Sequence, residues 1–91
     1  MRYSIIYGVL IMNTVESIKI RILQLCEEKS ISINKLANYS GLAPSTLKGI
    51  LYDRSRNPKI ITIKIICDGL NITLAEFFTS SEFNDLEQEI K

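Results

Sequence analysis

The segment from residue 32 to residue 52 constrains the fold more than any other part of the chain. Ser32 is a good helix N-cap, and Leu36 and Ala37 give the short stretch after it one buried side. Gly41 suits the left-handed conformation that often ends a helix, and Pro44 suits the first position of the next helix. The segment therefore predicts two short helices joined by a tight turn.

Helical periodicity continues on both sides of this pair, because apolar residues recur there at three- and four-residue steps. Four further helices are predicted: one from Asn13 or Thr14 to about Ser30, one from Ile60 to about Leu70, a short one at Leu74–Phe78 capped by Thr73, and a last one from Thr79 or Ser80 through Ile90. The chain is therefore expected to be all-α, with five to six helices.

The first eleven residues do not follow this pattern. The run Met1–Ile11 is rich in β-branched and aromatic residues, which favour a strand. It is shorter than the ~20 residues that cross a bilayer, and no small-residue cleavage site follows it. Met12, directly before the first predicted helix, is a second candidate start of the natural chain. We divide the chain into an apolar arm (1–12), a helical domain (13–79) and a C-terminal helix or tail (80–91), with no membrane segment.

Composition argues against an enzyme. The 91 residues include no histidine, the side chain best suited to proton transfer near neutral pH and the commonest transition-metal ligand. Cys26 and Cys67 stand far apart and form no C-x-x-C motif, so they are either one disulfide or two buried thiols, and thiols fit a cytoplasmic protein. We expect no catalytic residues, no metal site, no cofactor and a cytoplasmic location.

The net charge of +1 conceals an uneven distribution. Residues 76–91 carry a net charge of −4, whereas residues 44–64 carry +4. A concentrated basic segment indicates either a polyanionic partner or a solvated surface with a dipolar charge pattern. Its basic residues are Lys48, Arg54, Arg56, Lys59 and Lys64.

Two helices joined by a tight glycine-containing turn form the helix-turn-helix motif. In this chain residues 32–78 resemble the phage-repressor (Cro) type helix-turn-helix transcriptional regulators, and the similarity extends back to about Ile18. The matching features, in order, are Leu36-Ala37, Gly41-Leu42, Ser45-Thr46-Leu47, Asn57-Pro58 and Leu70-Asn71-Ile72-Thr73-Leu74. The resemblance implies a lambda-repressor-like domain that binds double-stranded DNA, with residues 44–52 as a recognition helix in the major groove.

The resemblance also implies which residues contact DNA. The base-reading candidates are Pro44, Ser45, Lys48 and Gly49. Lys48 can donate to guanine O6 and N7; its alternatives are a phosphate contact or a solvated side chain. The phosphate-contacting candidates are Lys35, Thr46, Tyr52, Arg54, Arg56, Asn57 and Lys59.

Three departures from the family pattern carry expectations. Cys26 and Leu51 stand where the family often has an internal Arg–Glu pair, so we expect them to be buried close together, since apolar groups often replace a buried ion pair without loss of stability. Ile33 replaces a phosphate-binding Gln, so that contact is either lost or shifted to Asn34 or Lys35. Ala43 replaces a capping Ser or Thr, which weakens the start of the recognition helix by about 1 kcal/mol.

Surplus hydrophobic residues indicate an interface. Ile20 and Leu23 also fall at positions that the family usually leaves polar. The surplus either forms a homodimer interface, as expected of regulators that bind two half-sites, or is covered within one subunit by the arm. The candidate interface residues are Ile61, Ile65, Phe83, Leu86 and Ile90.

A second function class remains open at this stage. A small helical domain of this kind also suits an antitoxin or antagonist that binds a protein. The two classes differ in one surface, because a DNA-binding protein needs the outward face of residues 45–52 and the loop after it to form one continuous basic surface.

Overall fold

The computed structural model describes residues 3–6, 9–52 and 57–90, with side chains from residue 13 onward. It contains a β-hairpin followed by five α-helices and one 3-10 turn. The elements are β1 (Tyr3–Ile6), β2 (Val9–Met12), α1 (Thr14–Glu28), α2 (Ile33–Ser40), α3 (Pro44–Tyr52), α4 (Ile60–Leu70), α5 (Leu74–Phe77) and a 3-10 helix at Ser81–Phe83.

Local signals set the helix ends as predicted. The Asn13 side chain accepts the Glu16 N–H at 2.8 Å at the start of α1, and the Ser32 hydroxyl accepts the Lys35 N–H at 3.0 Å at the start of α2. Gly41 ends α2 in the left-handed region at φ 66°. A reciprocal capping box between the side chain of Thr73 and that of Glu76 starts α5.

One hydrophobic core joins all five helices. Cys26 and Leu51 are both buried in it, as expected from their replacement of an ion pair, and both cysteines are free thiols. Burial raises the pKa of each thiol. The buried core residues are Ile18, Ile22, Leu25, Cys26, Leu36, Ala37, Leu47, Ile50, Leu51, Ile63, Ile66, Cys67, Leu70 and Phe77.

Two close contacts join helices of the domain, one between α2 and α4 and one between α1 and α5. The α2 and α4 backbones meet at Gly69, where a Cβ atom would lie 3.0 Å from the Ser40 backbone nitrogen and 3.1 Å from its Cα. The Arg21 guanidinium on α1 donates to the carbonyls of Phe77 at 2.7 Å and Glu76 at 2.8 Å, and thereby satisfies carbonyls at the end of α5.

The prediction of a last helix through Ile90 is wrong. Only Ser81–Phe83 forms a 3-10 turn, and residues 84–90 are not helical. A helix there would place Asp85 one turn from both Glu82 and Glu89, and like charges at these spacings destabilise a helix. The Phe83 ring packs instead on Phe77 and Phe78, with centroid distances of 6.2 and 5.0 Å.

The arm forms two strands rather than the single strand expected. They pair antiparallel from Tyr3 opposite Met12 to Ile6 opposite Val9, and α1 begins two residues after β2 ends. Within the described residues, no helix is long and apolar enough to cross a membrane.

Candidate nucleic-acid interface

Helix α3 has one buried and one exposed side. Its apolar side chains Leu47, Ile50 and Leu51 are buried in the core. The remaining positions form the opposite side, where Gly49 is half-buried and the others are exposed: Pro44, Ser45, Thr46, Lys48 and Tyr52. All four base-reading candidates are therefore accessible on one helix.

A groove of about 440 Å³ runs beside this exposed side. It joins the first turn of α3 to the segment before α4 and to the first turn of α4. Its lining is mostly polar and consists of Ser45, Thr46, Ile50, Asn57, Pro58, Lys59 and Thr62. The structure thus brings together phosphate-contacting candidates that lie more than ten positions apart in the sequence.

The remaining phosphate-contacting candidates divide into two groups. Arg54 and Arg56 lie outside the described residues. Lys35 is exposed on α2, with its ammonium 5.3 Å from the centroid of the Tyr39 ring. Sequence reasoning missed Tyr39 as an exposed residue of α2, although its spacing of four residues from Lys35 is the signal that places the two on one helix face.

One of the positive charges in the basic segment is paired with a carboxylate of the same helix. The Lys64 ammonium forms an ion pair with the Asp68 carboxylate one turn later on α4. No partner within the described chain engages Lys48 or Lys59, and both are exposed. Within the described part of residues 44–64, the accessible and unpaired positive charge therefore lies on α3 and in the segment before α4.

The predicted interface residues do not share one environment. Ile61 is 66% exposed and Ile90 is 89% exposed, whereas Ile65 and Leu86 are half-buried. Phe83 packs against the core of its own chain, so it does not belong to an exposed apolar surface. Of the two exposed candidates, Ile61 lies on a helix, at the start of α4, where the neighbouring Ile60 is also exposed.

Comparison with known proteins gives a consistent picture. A model of the Cro/C1-type HTH DNA-binding domain matches residues 21–81. The crystal structure of the prophage Lp1 protein 11 is similar with a TM-score of 0.72 and 28% identity, covering 81% of this chain and 97% of that one.

A second similar structure is the wild-type restriction-modification controller protein C.Esp1396I, with a TM-score of 0.64 and 28% identity over 70% of this chain and 81% of that one. The same controller bound to a 25 base pair operator site matches with a TM-score of 0.64 and 28% identity, over 70% of this chain and 83% of that one. The search of curated proteins found no match.

Proposed function

Because the chain belongs to the family of Cro/C1-type HTH DNA-binding domains, we propose that it regulates transcription by inserting α3 into the major groove of an operator. Lys48 and Ser45 are the residues that we propose to read bases, with Pro44 and Gly49 contributing shape. The exposed side of α3 supports this assignment, since it presents these residues away from the core. Double-stranded DNA is the proposed partner, and the cytoplasm the proposed location.

We propose that the groove beside α3 receives the phosphate backbone. Thr46 and Asn57 offer hydrogen-bond donors there and Lys59 a positive charge, and contacts of this kind fix the register of a protein on DNA. Lys59, the N-cap residue of α4, makes no side-chain capping hydrogen bond, and backbone N–H groups at a helix start favour anions. Lys35 extends the proposed phosphate contacts to α2.

We also propose that the protein binds its operator as a homodimer. A recognition helix of nine residues reads only a few base pairs, and dimers of such domains read two half-sites about one DNA turn apart. The exposed side chains of Ile60 and Ile61 support this proposal, because they form apolar surface on the monomer that a second copy would cover.

Selection of bound sites from random DNA tests the function, followed by three alanine substitutions on the selected site. Lys48→Ala should relax the preference at one base pair by roughly 1–3 kcal/mol, whereas Lys59→Ala should weaken all sequences alike and reduce the salt slope by about 1. Lys64→Ala is the matched control, because its ammonium is already paired with Asp68.

Two results would count against the proposal. Recovery of no preferred sequence would favour the protein-interaction class. A uniform loss of affinity for Lys48→Ala on every sequence would make Lys48 a phosphate contact instead.

A further inference from the structure

The β1–β2 hairpin has unpaired strand edges. The described sheet has two strands, so no third strand of the described chain runs along either outer edge. The single additional bridge residue in the described chain is Leu86, and one residue cannot cover two edges of four residues each. An uncovered edge presents backbone donors and acceptors that only another extended segment can pair along their length.

The sequence of the hairpin lacks the features that protect such an edge. Proteins commonly guard exposed edges with charged residues, above all lysine, or with proline. The strands read Tyr-Ser-Ile-Ile and Val-Leu-Ile-Met, with no charge and no proline. Every described strand residue apart from Ser4 is aliphatic, aromatic or methionine.

We propose that the outer edge of β1 pairs antiparallel with the outer edge of β1 in a second copy of the chain. The inference rests on the homodimer proposed above and names its interface. A two-stranded hairpin is marginal by itself, whereas a four-stranded sheet satisfies both inner edges and covers more apolar surface. Antiparallel pairing of identical edges is also what a two-fold dimer requires.

The junction between hairpin and helix gives this pairing a consequence for DNA binding. One residue, Asn13, separates β2 from α1, and its side chain caps the helix. Ser17 of α1 donates to the Glu82 carbonyl at 3.5 Å, and Thr14 donates to the Glu89 carboxylate at 2.9 Å. Since the junction is short and α1 is anchored, pairing of two hairpins fixes the distance between the two recognition helices.

A cysteine scan of β1 provides the first test. The native thiols of Cys26 and Cys67 are buried, so coupling of two copies reports on the thiol introduced at Ser4, Ile5 or Ile6. Facing Cβ atoms of paired strands lie about 4.5–5.5 Å apart. A short bismaleimide should therefore join two copies of at least one of Ser4→Cys, Ile5→Cys and Ile6→Cys. Ser81→Cys, an exposed serine outside the hairpin, is the matched control and should stay uncoupled.

Sedimentation of the full chain without DNA provides the second test. Ser4→Lys should raise the dimer dissociation constant by roughly tenfold or more, whereas Ser81→Lys, with the same change in charge, should leave it unchanged. Ile61→Lys addresses the exposed start of α4. If Ile61→Lys dissociates the dimer and Ser4→Lys does not, or if no β1 cysteine couples, the hairpin is not the interface.

The inference and the DNA-binding function fail separately. Ser4→Lys should still bind a single half-site with the affinity of the wild-type monomer, because α3 is untouched. A wild-type chain that stays monomeric while binding DNA would overturn the hairpin interface alone. Failure of the wild type to bind a half-site would overturn the proposed function.

Discussion

Gly69→Ala tests the close approach of α2 and α4, on which the placement of the helix-turn-helix unit depends. The added Cβ would overlap the Ser40 hydroxyl oxygen and would lie 3.0 Å from the Ser40 nitrogen and 3.1 Å from its Cα. The hydroxyl can rotate away, but the backbone contacts require the two helices to separate by a few tenths of an ångström.

The expected magnitude follows from two opposing terms. Alanine in a helix interior is favoured over glycine by about 1 kcal/mol. Overpacking of a close contact typically costs about 1–3 kcal/mol, and here the contact involves backbone. Gly69→Ala should therefore lower the free energy of unfolding by about 1 kcal/mol, which corresponds to a fall in Tm of roughly 4–8 °C for a domain of this size.

A double-mutant cycle with Ser40→Ala identifies the cause. The Ser40 hydroxyl is buried and has no hydrogen-bond partner within the described chain, so its removal should be neutral or stabilising. It removes only the contact that the hydroxyl can already relieve by rotating and leaves the Ser40 backbone in place, so the two changes should be additive within about 0.5 kcal/mol. Urea denaturation measures all four proteins. A double variant more stable than the sum of the single changes by about 1 kcal/mol would assign the cost to the hydroxyl, and a Gly69→Ala variant more stable than the wild type would refute the close-approach argument.

Three further predictions concern stability. Ser30 has φ 53°, so Ser30→Gly should raise the free energy of unfolding by up to about 1 kcal/mol in urea denaturation, while Ser30→Ala should not. Thr73→Ala removes the α5 capping box and should cost about 1 kcal/mol by the same measurement, with Thr73→Ser retaining most of the stability. Burial acts to raise the pKa of Glu82, but hydrogen bonds from Ser80, its own backbone and Gln24, with the charge of Arg21, outweigh it and lower the pKa below 4.5. The stability that this carboxylate contributes is present above pH 4.5 and is lost as the pH falls through its folded pKa. Glu82→Gln should therefore be less stable than the wild type at pH 7, and the gap should close in acid; a constant gap across pH would contradict this.

The helix ends of this domain could be predicted because their signals are local. Each of these signals contacts backbone groups only a few residues away, so a short stretch of sequence contains both partners of the contact. The residues are Asn13, Ser32, Gly41 and Thr73. The buried stripe of α3 was predictable for a similar reason, since helical spacing alone separates Leu47 from Lys48. The accessibility of the base-reading candidates followed from the same spacing.

Features that depend on distant partners could not be predicted. Phe83 fits a helical stripe as well as it fits a 3-10 turn, and its contact with Phe77 and Phe78 decides between them. The groove of the candidate site joins α3 to the start of α4, and no spacing rule places Ser45 beside Thr62. The division of the arm into two strands had one available signal, Gly8, in an otherwise continuous apolar run.

The charged residues at the start of α1 are far more buried than a sequence pattern alone would suggest. Glu16 and Lys19 read as solvated charges, yet they are 8% and 4% exposed and their charged groups lie 3.7 Å apart. Their burial is consistent with the position of the C-terminal segment, which contacts α1 through Glu82 and Glu89. A buried pair of opposite charges tolerates the loss of neither partner, because the other is then left uncompensated.

The position of the C-terminal segment leaves the basic residues free to meet a polyanionic partner. An acidic C-terminal segment that folded over α3 would neutralise the basic residues and block a polyanion. Instead, the Glu82 carbonyl accepts a hydrogen bond from Ser17 and the Glu89 carboxylate accepts one from Thr14, both on α1. Within the described chain no carboxylate pairs with Lys48 or Lys59. The acidic segment therefore lies against α1, and the basic residues of α3 and of the segment before α4 remain accessible. A domain with this separation attracts a polyanion to α3 and repels it from α1, which favours one orientation of approach to DNA.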